Sequence, residues 1–256
     1  MSEESPPMDA GPVPEGGIPA PAEPERVPFW GYSDVFLIAG LAIPCMFAGW
    51  AVVKVVMLLL HLHAAVPAEE AVPEMVIGYG LLFGALALLF RIQYERPFWR
   101  SLGWMPARVG FLRNVIFGLA TAYMVALVGH LMRTPAPSGP ITEIMKGPSA
   151  LVLVAVFGTT VAPLCEELAF RGFLQPVLVR SVGAVGGILI TSVIFGGLHY
   201  SEYGQSWRSA VQIGLSGMAF GCMRQVTGST RAATIMHAAF NALSFVSMFA
   251  QQGGAR

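Results

Sequence analysis

The chain has 256 residues, 55% hydrophobic and only 12% charged, with a mean hydropathy of +0.63 and no net charge. Soluble domains carry about 25% charged residues, so this composition excludes an ordinary soluble domain and reads as a polytopic membrane protein whose first partner is the lipid bilayer. Zero net charge supplies no field for nucleic acid, which is excluded as a partner, or for an acidic ligand.

Residues 1–28 are rich in Pro, Glu, Gly and Ala and show no apolar periodicity, so they are expected to form a disordered tail. The tail has no basic start followed by an apolar core, so it does not read as a cleavable signal peptide, and the first span is expected to stay in the mature protein. Crossing hydrocarbon takes about 20 apolar residues. Spans are predicted near Val35–Leu62, Met75–Phe90, Val115–Leu131, Leu151–Val179, Val185–His199, Val211–Met223 and Ala232–Ala250. The fourth is too long for a single crossing, and Pro163 and Pro176 predict a kink there, or a span followed by a shorter element. The expected fold is an all-α membrane helix bundle of about six to eight transmembrane helices, with 29–148 as an N-terminal set and 149–250 as a C-terminal core.

The connection after the second span carries Arg91, Arg96, Arg100, Arg108 and Arg113, whereas the one before it carries Glu69, Glu70 and Glu74 and no Lys or Arg. The positive-inside rule then puts the Arg-rich connection, the N-terminus and the Arg224/Arg231 turn in the cytoplasm. Trp99 and Trp104 fit interfacial anchors. Only Lys54 and Lys146 are lysine among 15 basic residues, a usage that points to a GC-rich bacterial genome and hence to a bacterial cytoplasmic membrane. Lys54 lies mid-span. It either faces the bundle interior and pairs with an acid, or meets a substrate carboxylate. In the C-terminal half, Gly214, Gly217 and Gly221 recur at helical spacing, which predicts close helix approach.

Ionisable side chains inside spans are costly and point to function. Glu166 and Glu167 are adjacent, within Ala162-Pro163-Leu164-Cys165-Glu166-Glu167-Leu168-Ala169-Phe170-Arg171-Gly172. On a helix Glu167 shares a face with Arg171, four residues on, while Glu166 points about 100° away. Glu167 and Arg171 can neutralise one another, leaving Glu166 free to face a water. Phe195 and His199 share a face in a later span, as do His237 and Asn241 in the last. Such groups need polar partners within the bilayer, and the nearest to hand are one another. A desolvated glutamate can act as general base towards water. One neutral imidazole can hold that water and give a proton to a leaving amine, and a second imidazole with an amide can donate to an oxyanion. That set suits amide hydrolysis without a covalent intermediate. Glu166, His199 and His237 could equally form a two-His, one-Glu zinc set, with Glu167 then drawn in as base. The residues leave open whether zinc or no metal serves.

Other routes to proteolysis lack their residues. The chain has no His-Glu-x-x-His helix and no Gly-x-Ser-x-Gly elbow, and its only aspartates, Asp9 and Asp34, do not form an intramembrane pair. Cys45, Cys165 and Cys222 show no C-x-x-C spacing and read as small core residues.

The order Glu-Glu-x-x-x-Arg, Phe-x-x-x-His, His-x-x-x-Asn, with Ala162-Pro163 and Phe170-Arg171-Gly172 flanking the acids and Gly228-Ser229 before the last helix, resembles the CAAX protease and bacteriocin-processing family. This is also called the type II CAAX prenyl endopeptidase or abortive-infection family. The resemblance covers roughly 149–249. It implies a helical membrane peptidase in which Glu166 with His199 activates water, His237 and Asn241 stabilise the oxyanion, and Glu167 and Arg171 support the site. It implies a peptide or protein substrate, prenylated or membrane-embedded. The alternative is a non-enzymatic peptide-binding or bacteriocin-immunity protein of the same fold. A transporter is disfavoured because no internal repeat is visible.

Overall fold

The computed structural model describes residues 28–107 and 109–253, so the expected tail, apart from Pro28, lies outside the described residues, as does Arg108. The chain forms helices α1 (Tyr32–Leu59), α2 (Ala68–Gln93), α3 (Phe98–Ser101), α4 (Phe111–Leu131), α5 (Pro140–Ile144), α6 (Pro148–Thr159) and α7 (Val161–Glu167). A π-helical segment, Leu168–Leu174, follows, and then α8 (Gln175–Leu198), α9 (Trp207–Thr227) and α10 (Thr230–Gly253). No strand occurs among the described residues. Five helical stretches, 32–59, 68–93, 111–131, 148–198 and 230–250, are long and apolar enough to cross a membrane. Large apolar side chains point outward, with Ile43 79% exposed. This suits lipid as solvent, and the chain is an integral membrane protein with the all-α bundle expected.

The stretch 148–198 is 51 residues long and folds back on itself. Thr160, at φ −125° and ψ −76°, separates α6 from α7. Pro163 sits in the first turn of α7, where its missing N–H interrupts no helical bond. Just before Pro176 the turn widens into the π segment, closed by the Gln175 N–H donating to the Phe170 carbonyl. At Gly183 the backbone takes φ +77° and ψ 170°, a conformation essentially confined to glycine. Gly187 then packs directly against Val179, eight residues earlier. A continuous helix with a rise of about 1.5 Å per residue excludes that contact, so the chain reverses here. The reversal makes two legs of one apolar stretch, and α9 packs beside the second, which accounts for a bundle within the expected six to eight helices.

Glycines set three close crossings. Gly49 of α1 lies against the backbone of Glu74 and Gly78 of α2, Gly196 of α8 against Ala210 and Gly214 of α9, and Gly118 of α4 against Met236 and Ala239 of α10. The first two pairs run antiparallel and the third parallel.

Two anchors fix where the site elements begin. Trp30 is fully buried between Phe90 and Phe173, and its indole N–H donates to the Phe173 carbonyl in the π segment at 3.0 Å. Arg180 ties the same region down by donating to the carbonyls of Pro28 and Trp30 at 2.7 and 3.2 Å. At the start of α10, the Thr230 N–H donates to the Gly103 carbonyl at 2.9 Å and its hydroxyl to the Leu102 carbonyl at 2.5 Å. The Arg-rich connection thus holds the helix that carries His237. Trp104 is partly buried against the core and Trp99 is 49% exposed.

One expectation changes. Helix α2 begins at Ala68 and not at Met75, because Glu69 and Glu70 occupy its first turn, where carboxylates suit the helix dipole. For Lys54 the structure shows the first of its two expected roles: it ion-pairs with Glu70 across the α1–α2 contact, and both side chains remain partly exposed.

Candidate active site

The centre of the C-terminal half is an ion-pair cluster with no exposure to solvent. Glu167 and Arg171, one helical turn apart across the start of the π segment, are both fully buried, and Arg171 Nη1 donates to Glu167 Oε1 at 2.9 Å. A buried guanidinium needs further acceptors. Arg171 Nη2 donates to the Gly217 carbonyl of α9 at 2.7 Å, and the guanidinium carbon lies 4.7, 5.5 and 5.6 Å from the ring centroids of Phe195, Phe220 and Phe170. Gly217 is obligatory for this approach, because a Cβ there would lie 2.9 Å from Phe195 and 3.0 Å from Arg171 Nη2. One turn further along each helix the pattern repeats, with Gln175 Nε2 donating to the Gly221 carbonyl at 3.0 Å.

His237 completes the cluster. Its Nδ1 lies 2.9 Å from Glu167 Oε1, and Phe220 stacks on the ring at 4.4 Å. A carboxylate accepts, so Nδ1 carries the proton and Nε2 is left facing Glu166, whose Oε2 is 3.8 Å away. The two adjacent glutamates therefore sit in different surroundings. Glu167 has no exposure and is engaged by Arg171 and His237, while the Glu166 side chain is 20% exposed beside the imidazole edge.

His199 ends α8. Its Nδ1 donates to the Phe195 carbonyl at 2.7 Å, one of the helix's unpaired terminal acceptors, and the Phe195 ring lies 4.8 Å from the imidazole. Its Nε2 is again free of that bond and lies 3.9 Å from Glu202 Oε2. Phe195, 2% exposed, separates His199 from Arg171 and stands edge-on to His237 at 6.0 Å. Asn241, one turn beyond His237, donates through Nδ2 to the Gly158 carbonyl of α6 at 2.7 Å. That bond occupies one amide hydrogen and fixes the direction of the other.

The structure thus joins Glu166, Glu167, Arg171, His237 and Phe195 in one cluster. It sets His199 at its rim, against Phe195, and ties Asn241 to α6. Sequence reasoning did not single out Glu202, Gln175, Phe220 or the carbonyls of Gly158 and Gly217. The Arg171/Gln175 and Gly217/Gly221 spacings carried a signal for two of these contacts. Zinc would need Glu166, His199 and His237 to converge. Among the described residues no three His, Cys, Asp or Glu side chains are arranged to hold a metal ion. The zinc set does not fit this arrangement.

No curated protein and no solved structure matches the chain at a significant level. Residues 148–243, which carry all three motifs and every side chain of the cluster, match the model of the Rce1-like family, described as type II CAAX prenyl endopeptidase Rce1-like, in agreement with the resemblance carried by the motifs.

Proposed function

We propose that this protein is an intramembrane endopeptidase that hydrolyses a peptide bond with water activated by Glu166 and His199, and that residues 149–250 form its catalytic core. The observation that carries the reading is the division between the two glutamates. Glu167 is sealed beneath Arg171 and His237, while Glu166 keeps a partly exposed carboxylate at the cluster's edge. Only Glu166 can reach a water.

The steps follow from where the protons sit. Glu166 takes a proton from water, whose second O–H donates to the free Nε2 of His199, and the resulting hydroxide adds to the substrate carbonyl carbon. The oxyanion lies against the second amide hydrogen of Asn241 and against His237 Nε2, which takes up a proton from bulk water before the attack, is balanced by Glu167 and keeps that proton throughout the turnover. The C–N bond breaks as the proton taken by Glu166 passes through His199 Nε2 to the leaving nitrogen. Carboxylate and imidazole end as they began, and no bond forms between enzyme and substrate. In the bilayer the substrate is a peptide or protein segment, prenylated or membrane-embedded. The Arg-rich 94–110 connection and the N-terminus face the cytoplasm of a bacterial cell.

The test is cleavage of a mixed pool of prenylated and plain peptides by purified protein in detergent. We expect cleavage by the wild type, insensitivity to a chelator, and loss on Glu166→Gln by about 10²- to 10⁴-fold, the usual worth of a positioned general base. Undiminished cleavage by Glu166→Gln overturns the reading, and chelator-sensitive cleavage restores a metal route.

A further inference from the structure

Glu202 lies outside the three motifs, yet it is the acid nearest to His199 Nε2, with Oε2 at 3.9 Å. It belongs to the 199–206 connection between α8 and α9, and the place of that connection is firmly set. The Tyr203 N–H donates to the His199 carbonyl at 3.2 Å, and the Gln205 N–H donates to the Tyr200 carbonyl at 2.9 Å. The Ile141 N–H of α5 donates to the carbonyl of Glu202 itself at 3.3 Å. Gly139 and Gly204, at φ +86° and +66°, meet back to back, so close that a Cβ on Gly139 would lie 2.7 Å from the Gly204 nitrogen. The backbone of so constrained a loop keeps the partly exposed Glu202 carboxylate near the imidazole.

We propose that Glu202 is a positioning residue for His199, stabilising the imidazolium through which the proton travels to the leaving nitrogen. This rests on the endopeptidase reading above. The Nδ1 proton of His199 is fixed on the Phe195 carbonyl, so any proton it gains arrives at Nε2, on the Glu202 side. Burial raises the Glu202 carboxyl above the ordinary carboxylate range, and positive charge arriving on His199 draws it back. The other titratable groups around them are Glu166 from α7, His237 from α10, Tyr79 from α2 and Tyr203 from the same loop. Of these only His237 can carry positive charge, and Glu167 balances it. The step balances: a proton leaves Glu166, resides on His199 Nε2 opposite Glu202, and ends on the amine as the C–N bond breaks.

The experiment compares the pH profiles of kcat/KM for wild type, Glu202→Gln, Glu202→Asp and Tyr203→Phe, alongside NMR of ring-labelled histidine in detergent micelles. Without the neighbouring negative charge His199 gains its Nε2 proton less readily. The acid limb of the Glu202→Gln profile should therefore move to lower pH by about one unit. Its kcat should fall roughly tenfold, part of the usual worth of a positioned proton donor, with KM unchanged. The imidazolium signal of His199 at mildly acid pH should fall with it. Glu202→Asp should restore part of both effects, and Tyr203→Phe should leave the limb in place. A Glu202→Gln enzyme that is slower at every pH with an unmoved limb and unchanged imidazolium signal overturns the proposal and leaves a structural role. Should no variant or wild type cleave, the NMR comparison still decides between the two. Loss of the endopeptidase reading itself is registered separately, by undiminished cleavage in Glu166→Gln.

Discussion

Two ion pairs, Lys54–Glu70 and Arg171–Glu167, use the same chemistry at two places in the bundle and come to opposite ends. Lys54–Glu70 joins α1 to α2 with its side chains 41% and 30% exposed. Arg171–Glu167 has no exposure at all, and its members also engage His237 and the Gly217 carbonyl. An exposed pair contributes about 0–1 kcal/mol. A buried one is neutral at best as a source of stability, yet losing one partner costs about 3–5 kcal/mol because the other charge is left uncompensated. The difference teaches that an acid and a base within an apolar chain mark a site only where the surroundings over-determine them. The N-terminal pair staples two helices, whereas the C-terminal pair holds an imidazole in one tautomer.

The strongest way to break this comparison is to remove one partner from each pair. Arg171→Ala should lose about 3–5 kcal/mol, visible as a large fall in Tm in detergent, with activity lost as Glu167 and His237 are released. The paired change Glu167→Ala/Arg171→Ala should be less damaging to Tm than Arg171→Ala alone, since no unpaired charge remains, and it should still be inactive. If the double variant is no more stable than the single, the cluster is held by packing and not by charge.

A smaller effect sharpens the link between helix approach and the site. Gly217→Ala places a methyl 2.9 Å from Phe195 and 3.0 Å from Arg171 Nη2, an overpacking that should cost about 1–3 kcal/mol. Because it displaces Arg171 and Phe195 together, kcat should fall as well. Gly214→Ala, whose nearest foreign atom is the Ser192 carbonyl at 3.3 Å, should be milder in both Tm and kcat. Equal effects at the two positions would mean that α9 shifts as a rigid body.

Among the contacts by which the N-terminal region reaches the site, the Trp30 indole bond can be removed alone. Trp30→Phe keeps the aromatic packing on Phe90 and Phe173 but removes the indole donor to the Phe173 carbonyl. The expected loss is about 1 kcal/mol in thermal unfolding, with cleavage nearly intact.

The helices were legible because hydrocarbon demands long apolar runs, and the different surroundings of Glu166 and Glu167 were legible because 100° per residue separates adjacent side chains. The prolines of the fourth stretch announced a disturbance but not its form. Pro163 is absorbed in a first turn, whereas the reversal happens at Gly183, whose positive φ has no mark in hydropathy. Helices α3 and α5, four and five residues long, are too short to show a period. The partners that complete the site were hidden for another reason. The carbonyls of Gly158, Phe195 and Gly217 are backbone atoms that every residue carries, and Glu202 meets His199 only because Gly139 and Gly204 clamp its loop.

The smallest expected effect closes the comparison from its weak side. The sequence leaves Lys54 two roles, pairing with an acid or meeting a substrate carboxylate, and the structure pairs it with Glu70. Lys54→Gln should therefore lower Tm only slightly, and the loss should shrink further in high salt, which screens exposed charges more strongly. Peptide cleavage separates the roles without ambiguity. A staple between α1 and α2 leaves KM unchanged for substrates with free and with amidated C-termini alike, while a carboxylate contact raises KM for the free acid alone. A selective rise in KM would make Lys54 part of the substrate path and reduce the contrast between the two ion pairs to one of burial only.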